Sequence, residues 1–242
     1  MMSLPKIDLP VYELKLPSNG KVVRVRPFLV KEEKLLLMAV ESQDEKEIIN
    51  VTKQVINNCL IDSDIDLDNL PFFDVDYLFI ALRAKSVGES IEVKFTCNNT
   101  YENQRCGHIF PAHIDISNCE IVKDSSIPMT INIGKGYMIK MKYPNYITMK
   151  IILDDDAVLD KKLRIVSACI DSIIKGDEVF TTKDKTKEEL IEFVESLTQQ
   201  QFKLLEVFVD NFPTFIVRAK AKCSKCGFDH NLEYSEFASF FV

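Results

Sequence analysis

The chain has no tryptophan, and only 7 glycines, 9 prolines and 3 histidines among its 242 residues. So few glycines exclude collagenous and low-complexity chains, and no glycine-rich loop of the kind that cradles phosphate is found. With only His108, His113 and His230 to draw on, no Ser/His/Asp or Cys/His arrangement stands out. No run approaches the roughly 20 apolar residues of a membrane helix. The first residues, MMSLPKIDLPVYELKLP, lack the apolar region of a signal peptide. The expectation is a chain with no membrane span that stays in the compartment where it is made. Cations are in the minority, with 30 Lys and Arg against 37 Asp and Glu, a net charge of −7 and a pI near 5.2. That balance weighs against a nucleic-acid partner, which ordinarily selects a basic patch. These absences together argue that the protein is not an enzyme.

What remains is an ordinary globular composition, 46% hydrophobic and 28% charged, of a length suited to one large or two small domains. VYELKLP, SNG and KVVRVRPF predict a β-hairpin over residues 10–28. VKEEKLLLMAVES and DEKEIINVTKQVINNCLI take helical spacing. FDVDYLFIALRAKSV predicts a helix with Val75, Leu78, Phe79 and Leu82 on one stripe and Asp74 as N-cap. ESIEVKFTC runs as a strand into Cys97, and CGHIFPAHIDIS leaves Cys106 as another.

The second half repeats this order. SIPMTINIGKGYMIKMKYP reads as a hairpin turning at Gly134–Gly136, and YITMKIIL and DAVLDKKLRIVSACIDSII read as helices. Thr186 with Glu189, and Thr198 with Gln201, form two capping boxes, and Pro213 closes the second of these helices. A strand then leads to Cys223. LPVYELKLPSNGKVVRVRPF aligns with IPMTINIGKGYMIKMKYP almost without gaps, and VKFTC…CGHIF corresponds to AKAKCSKCGFDH. The expected fold is α+β: two tandem divergent repeats, residues 1–118 and 119–242, each a hairpin, helices and a strand–knuckle–strand. They are expected to pack about a pseudo-two-fold axis and to share one zinc knuckle.

Seven cysteines is an odd count, and in a reducing compartment paired cysteines signal metal or redox chemistry before disulfides. Cys97 and Cys106 come from the first half, Cys223 and Cys226 from the second. Gly107 and Gly227 follow the second member of each pair and let backbone amides turn toward a thiolate. Four thiolates at strand ends make a closed, structural Zn²⁺ site with Cys97, Cys106, Cys223 and Cys226 as ligands. The CxxCG of the second pair is the stronger signal, because CNNTYENQRC spreads the first pair widely. Two alternatives stand beside zinc. A redox CxxC usually begins a helix, whereas this one lies between strands; the other is a set of reduced, unliganded thiols. His108 and His230 lie just past the knuckles, and either could replace one cysteine as ligand. Cys59, Cys119 and Cys169 have no partner spacing, and Cys59 and Cys169 sit in apolar helical patterns as buried small hydrophobes.

Other clusters have plainer readings. Asp62, Asp64, Asp66 and Asp68 have the spacing of a calcium loop, but the loop's glycine position is Leu67 and its closing glutamate position is Phe73. A solvated acidic loop is expected there, and helix N-capping at Asp154–Asp156. Phe237, Phe240 and Phe241 form an apolar stripe on an expected C-terminal helix that docks on the core or on a neighbour.

LPVYELKLPSNGKVVRVRPFLVKEEKLLLMAVES, FFDVDYLFIALRAKSVGESIEVKFTC and the later cysteine pair resemble the baseplate hub subunit and hub-assembly family of T4-type contractile-tailed bacteriophages. The likeness is densest over residues 4–106, in the LPSNG turn, the RPFLVKEEK stretch and LRAKSVGE, and thins afterwards to element order and CxxCG. It implies a structural or assembly component of the tail baseplate hub. Such a component binds other baseplate and hub proteins within a symmetric assembly, in the virion or in the host cytoplasm during assembly. It carries over no catalytic residue. Two alternatives are a hub-assembly chaperone that leaves before the virion matures and a tail-tip cell-wall hydrolase.

Overall fold

A computed structural model describes residues 7–62, 64–101, 103–148 and 161–235. The expected C-terminal helix with Phe237, Phe240 and Phe241, the capping role of Asp154–Asp156 and most of the YITMKIIL helix lie outside the described residues. The fold is α+β and divides into two compact units. One gathers the chain up to Ile65, Phe73–Ile121 and the chain from Phe215; the other gathers Asp66–Phe72 and Val122–Thr214.

The first unit opens with the expected hairpin, β1 (Tyr12–Lys15) against β2 (Val22–Val25), with Tyr12 opposite Val25. Alternation turns Leu14, Val23 and Val25 inward, with Leu16 following them into the core. Helices α1 (Val30–Ser42) and α2 (Glu45–Cys59) follow, α2 capped by the Asp44 carboxylate, which accepts from the Lys46 and Glu47 amides. Helix α3 (Phe72–Ser86) buries Val75, Leu78, Phe79 and Leu82 as expected, and Phe73 and Ile80 as well. Asp74 is not its N-cap. It lies inside the first turn, buried, and its carboxylate accepts from the amide of Ser18 (2.9 Å) and from the Ser18 hydroxyl. A polar residue near a helix start reads as a cap from local sequence, but here a tertiary partner 56 positions away claims it. Strands β3 (Ser90–Thr96) and β6 (Ile109–Asp115) then pair antiparallel, Ser90 opposite Asp115 and Thr96 opposite Ile109. Between them β4 (Thr100–Tyr101) and β5 (Gln104–Arg105) form a small hairpin. A 3₁₀ turn, Ile116–Asn118, leads into β7 (Glu120–Val122).

The second unit is a four-stranded antiparallel sheet with helices. Its strands are β8 (Thr130–Gly134), β9 (Tyr137–Met141), β10 (Ile170–Lys175) and β11 (Glu178–Thr181), in the order β11-β10-β9-β8. Helix α4 (Lys161–Ala168) precedes β10; α5 (Lys187–Glu195) and α6 (Gln199–Asp210) follow β11. Both expected capping boxes form, at Thr186 with Glu189 and at Thr198 with Gln201. Ile131, Ile139, Met141, Val166, Leu205 and Phe208 make the core. One expectation fails: the helix read through VSACIDSII stops at Ala168, and Ile170–Lys175 is a strand between β9 and β11. A short apolar run has the same pattern in a buried strand as in a helix. The β-branched Ile170, Ile173 and Ile174, followed by Gly176 at φ +58°, favour the strand and its turn.

The chain finally returns to the first unit as β12 (Thr214–Lys222) and β13 (Asp229–Tyr234), joined to β7 in the order β13-β12-β7. Among the described residues no helix is long and apolar enough to cross a membrane.

One buried charge pins the start of α1. The Glu32 carboxylate is fully buried; it accepts from the Leu29 amide (2.7 Å) and from Arg26 Nη2 (3.1 Å). Burial pushes its pKa up, but the hydrogen bonds from Arg26 and Leu29 outweigh this, and the net shift is down. The stability it contributes is therefore present above the ordinary glutamate range and is lost as pH falls through the lowered folded value. Glu32→Ala takes the carboxylate from Arg26, which keeps its bonds to the Pro27 and Asn58 carbonyls, and uncaps the helix. Urea unfolding at neutral pH is expected to show a loss of about 2 kcal/mol, shrinking on acidification; an unchanged midpoint would refute the role.

Candidate metal centre

Two strand pairs of the first unit end in knuckles with the same backbone plan. In one, the Cys97 amide donates to the carbonyl of His108 (2.8 Å), and the Gly107 amide donates back to the Cys97 carbonyl (3.1 Å). In the other, the Cys223 amide donates to the carbonyl of Phe228 and the Gly227 amide to that of Cys223, both at 2.9 Å. Gly107 and Gly227 sit at φ +60° and +73°, left-handed backbone that disfavours any side chain. The wide spacing of the first pair now has a cause. The hairpin β4–β5 lies between the two cysteines of the knuckle, closed at its base where the Cys106 amide donates to the Asn99 carbonyl (2.8 Å). Without Thr100–Arg105 the sequence would read Cys97-Asn98-Asn99-Cys106, a CxxC.

The knuckles meet. The sulfurs of Cys97, Cys106, Cys223 and Cys226 all lie within 4.8 Å of one another, with Cys97 to Cys226 at 3.6 Å and Cys106 to Cys223 at 3.9 Å. Four thiolates around a tetrahedral zinc, each about 2.3 Å from it, would be about 3.8 Å apart, so this donor set could hold a metal ion. All four residues belong to one compact unit, because β12 and β13 fold with the first unit. Cys97, Cys106 and Cys223 are buried, and Cys226 is partly exposed.

The surroundings treat the sulfurs unequally. Burial pushes the Cys97 thiol up to about 12, against a backbone hydrogen bond from Asn99. A backbone hydrogen bond from Phe228, with help from the Asn99 side chain, holds Cys226 down to about 6. Asn99 Nδ2 is 3.7 Å from Cys226 Sγ. His230, buried on β13, places Nε2 at 3.2 Å from Cys97 Sγ. His108 instead turns to Ser224 Oγ (2.9 Å), away from the sulfurs. The sequence marks both histidines as possible ligands, and the structure separates them. It gives no advance sign of the Asn99 contact, which joins the first knuckle to the last cysteine. The Cys97–His230 contact has the residue types of a nucleophilic dyad, but Cys97 is fully buried with a raised pKa and offers no approach to a substrate.

The remaining cysteines stay apart. Cys59 and Cys169 are buried and Cys119 is partly so, and burial raises all three thiols, to about 11, 12 and 11. The aspartates with calcium-loop spacing are engaged otherwise. Asp62 binds Arg24 (2.7 Å) and Asp64 binds Lys21 (2.7 Å), while Asp66 accepts from the Asp68 amide and from Asn69.

A family model described as T4 bacteriophage base plate protein matches residues 9–242. The chain belongs to that family. No curated protein and no solved structure matches. Membership places the chain in the tail baseplate of a T4-type phage, as a structural protein among other baseplate proteins.

Two outcomes are expected. In metal-free protein at pH 7, iodoacetamide should modify Cys226 first and leave Cys97 untouched until unfolding. Peptide mass mapping that finds Cys97 modified first would contradict the assigned environments. Deleting Thr100–Arg105 should leave a folded chain whose thermal midpoint still falls on addition of a chelator. A deletion variant insensitive to chelator, beside a sensitive parent, would show the insert to be part of the site.

Proposed function

We propose that the protein is a structural component of the hub region of the baseplate, stabilised by one Zn²⁺ held by Cys97, Cys106, Cys223 and Cys226, and that it acts through protein–protein contacts without catalysis. The observation that carries this reading is the convergence of two matching knuckles on four sulfurs, in a chain of the baseplate family. Zinc suits a donor set of four soft thiolates, and all its binding energy is available to the fold because the unfolded chain has no preformed site. Its loss would loosen the ends of β3, β6, β12 and β13. Contact surfaces are at hand in the exposed Leu37 and Met38 of α1 and in Leu204 and Val207 of α6. The acidic charge of the chain suits partners with basic patches, setting orientation and rate more than affinity.

We also propose that the matching knuckles are remnants of a tandem duplication, with copies in residues 1–118 and 119–242. The shared hydrogen-bond plan supports this. The hairpin β10–β11, which has no counterpart in the first half of the element order, would be a later addition.

Elemental analysis of purified protein should find one zinc per chain. Cys97→Ser and Cys226→Ser should each release it and lower solubility; full metal content in both variants would end the zinc reading. Mass spectrometry of mature tails should detect the chain. Its absence from tails, with presence in assembly intermediates, would mark it instead as a transient assembly factor.

A further inference from the structure

His230 is placed too carefully for an ordinary strand residue. It faces Ala221 across the β12–β13 ladder and is only 5% exposed. Three phenyl rings surround its imidazole. Phe228 of the second knuckle stands at 4.8 Å between ring centroids, and the cross-strand partners Phe95 and Phe110 of β3–β6 at 5.0 Å and 6.0 Å. These rings offer packing and no competing acceptor, and Nε2 points at Cys97 Sγ from 3.2 Å. His230 is not among the four mutually close donor atoms.

We infer that His230 is a positioning residue of the metal centre: its Nε2–H donates to the Cys97 thiolate, fixing that sulfur and taking up part of its charge. This rests on the metal reading above. A divalent ion held by four thiolates leaves a double negative charge, and this one would sit largely out of water. Such a charge is costly to bury unless donors spread it. Backbone amides and Asn99 Nδ2 serve Cys97 and Cys226. Cys97 is the most deeply buried of the four sulfur residues, at 0% exposure, and His230 supplies it with a side-chain N–H that the knuckle backbone lacks. A hydrogen bond to a ligand sulfur orients it for the metal, and loss of such partners ordinarily weakens binding. The phenyl rings hold the imidazole in place by packing.

The test compares His230→Phe, which keeps a ring in the cage and removes the donor, with His230→Gln, which returns an amide N–H at nearly the same reach. Zinc affinity, by competition with a chromophoric chelator, should fall by about tenfold or more in His230→Phe and recover most of that loss in His230→Gln. In Co²⁺-loaded protein the sulfur-to-metal charge-transfer band should shift to lower energy in His230→Phe and return toward the parent position in His230→Gln. Equal affinity and band position in the parent and His230→Phe would overturn the inference, leaving the zinc reading intact. So would equal losses in both variants, which would mean that only packing matters. A parent chain that takes up neither zinc nor cobalt would overturn the metal reading and this inference with it.

Discussion

Two knuckles bring four sulfurs together at the ends of two strand pairs, where the apolar core is small. A two-stranded hairpin is marginal in water without an apolar face to cover. At the knuckle ends of β3–β6 and β12–β13, the available core is small. Cys97, Cys106, Cys223 and Phe110 are buried together, with Phe95, Ala221 and Cys226 packed beside them. Sulfur shares that core with aromatic rings. Gly107 and Gly227 allow the sharp backbone turns that aim the thiols inward, and each knuckle closes on itself through a reciprocal pair of backbone hydrogen bonds. The two knuckles are thus preformed halves, and the ordering cost of joining them falls on few residues.

Charge is handled elsewhere by pairing at close range. Glu32 is fully buried with Arg26 and the Leu29 amide, and Asp74 is buried on the Ser18 turn, where burial raises its pKa against the hydrogen bonds from Ser18. Each fastens a helix to the turn of the hairpin β1–β2 or to the segment leading out of it. The acidic loop works more weakly at the surface, with Asp62 and Asp64 on Arg24 and Lys21, where solvent screening leaves little net gain.

Much of the local structure is legible from sequence, because its causes are local. The first hairpin, helices α1 and α2 and both capping boxes follow from alternation, helical spacing and the chemistry of the first turn. The CxxCG between alternating segments marks Cys223 and Cys226 as metal-ligating candidates in the same way, whereas Cys97 and Cys106 are marked only by their flanking strands and Gly107. The failures share one cause. Asp74 and Ile170–Ile174 each had a sound local reading that a distant partner overrode: the Ser18 turn in one case, strands β9 and β11 in the other.

Residue types and their order were enough to specify the knuckles, because a left-handed glycine after a cysteine and alternating flanks act over a few positions. That β12 and β13 join the first unit, and that His230 faces a sulfur while His108 turns to Ser224, came only from the assembled chain. Those outcomes depend on contacts between residues more than a hundred positions apart, and no short-range pattern encodes a distance of that kind.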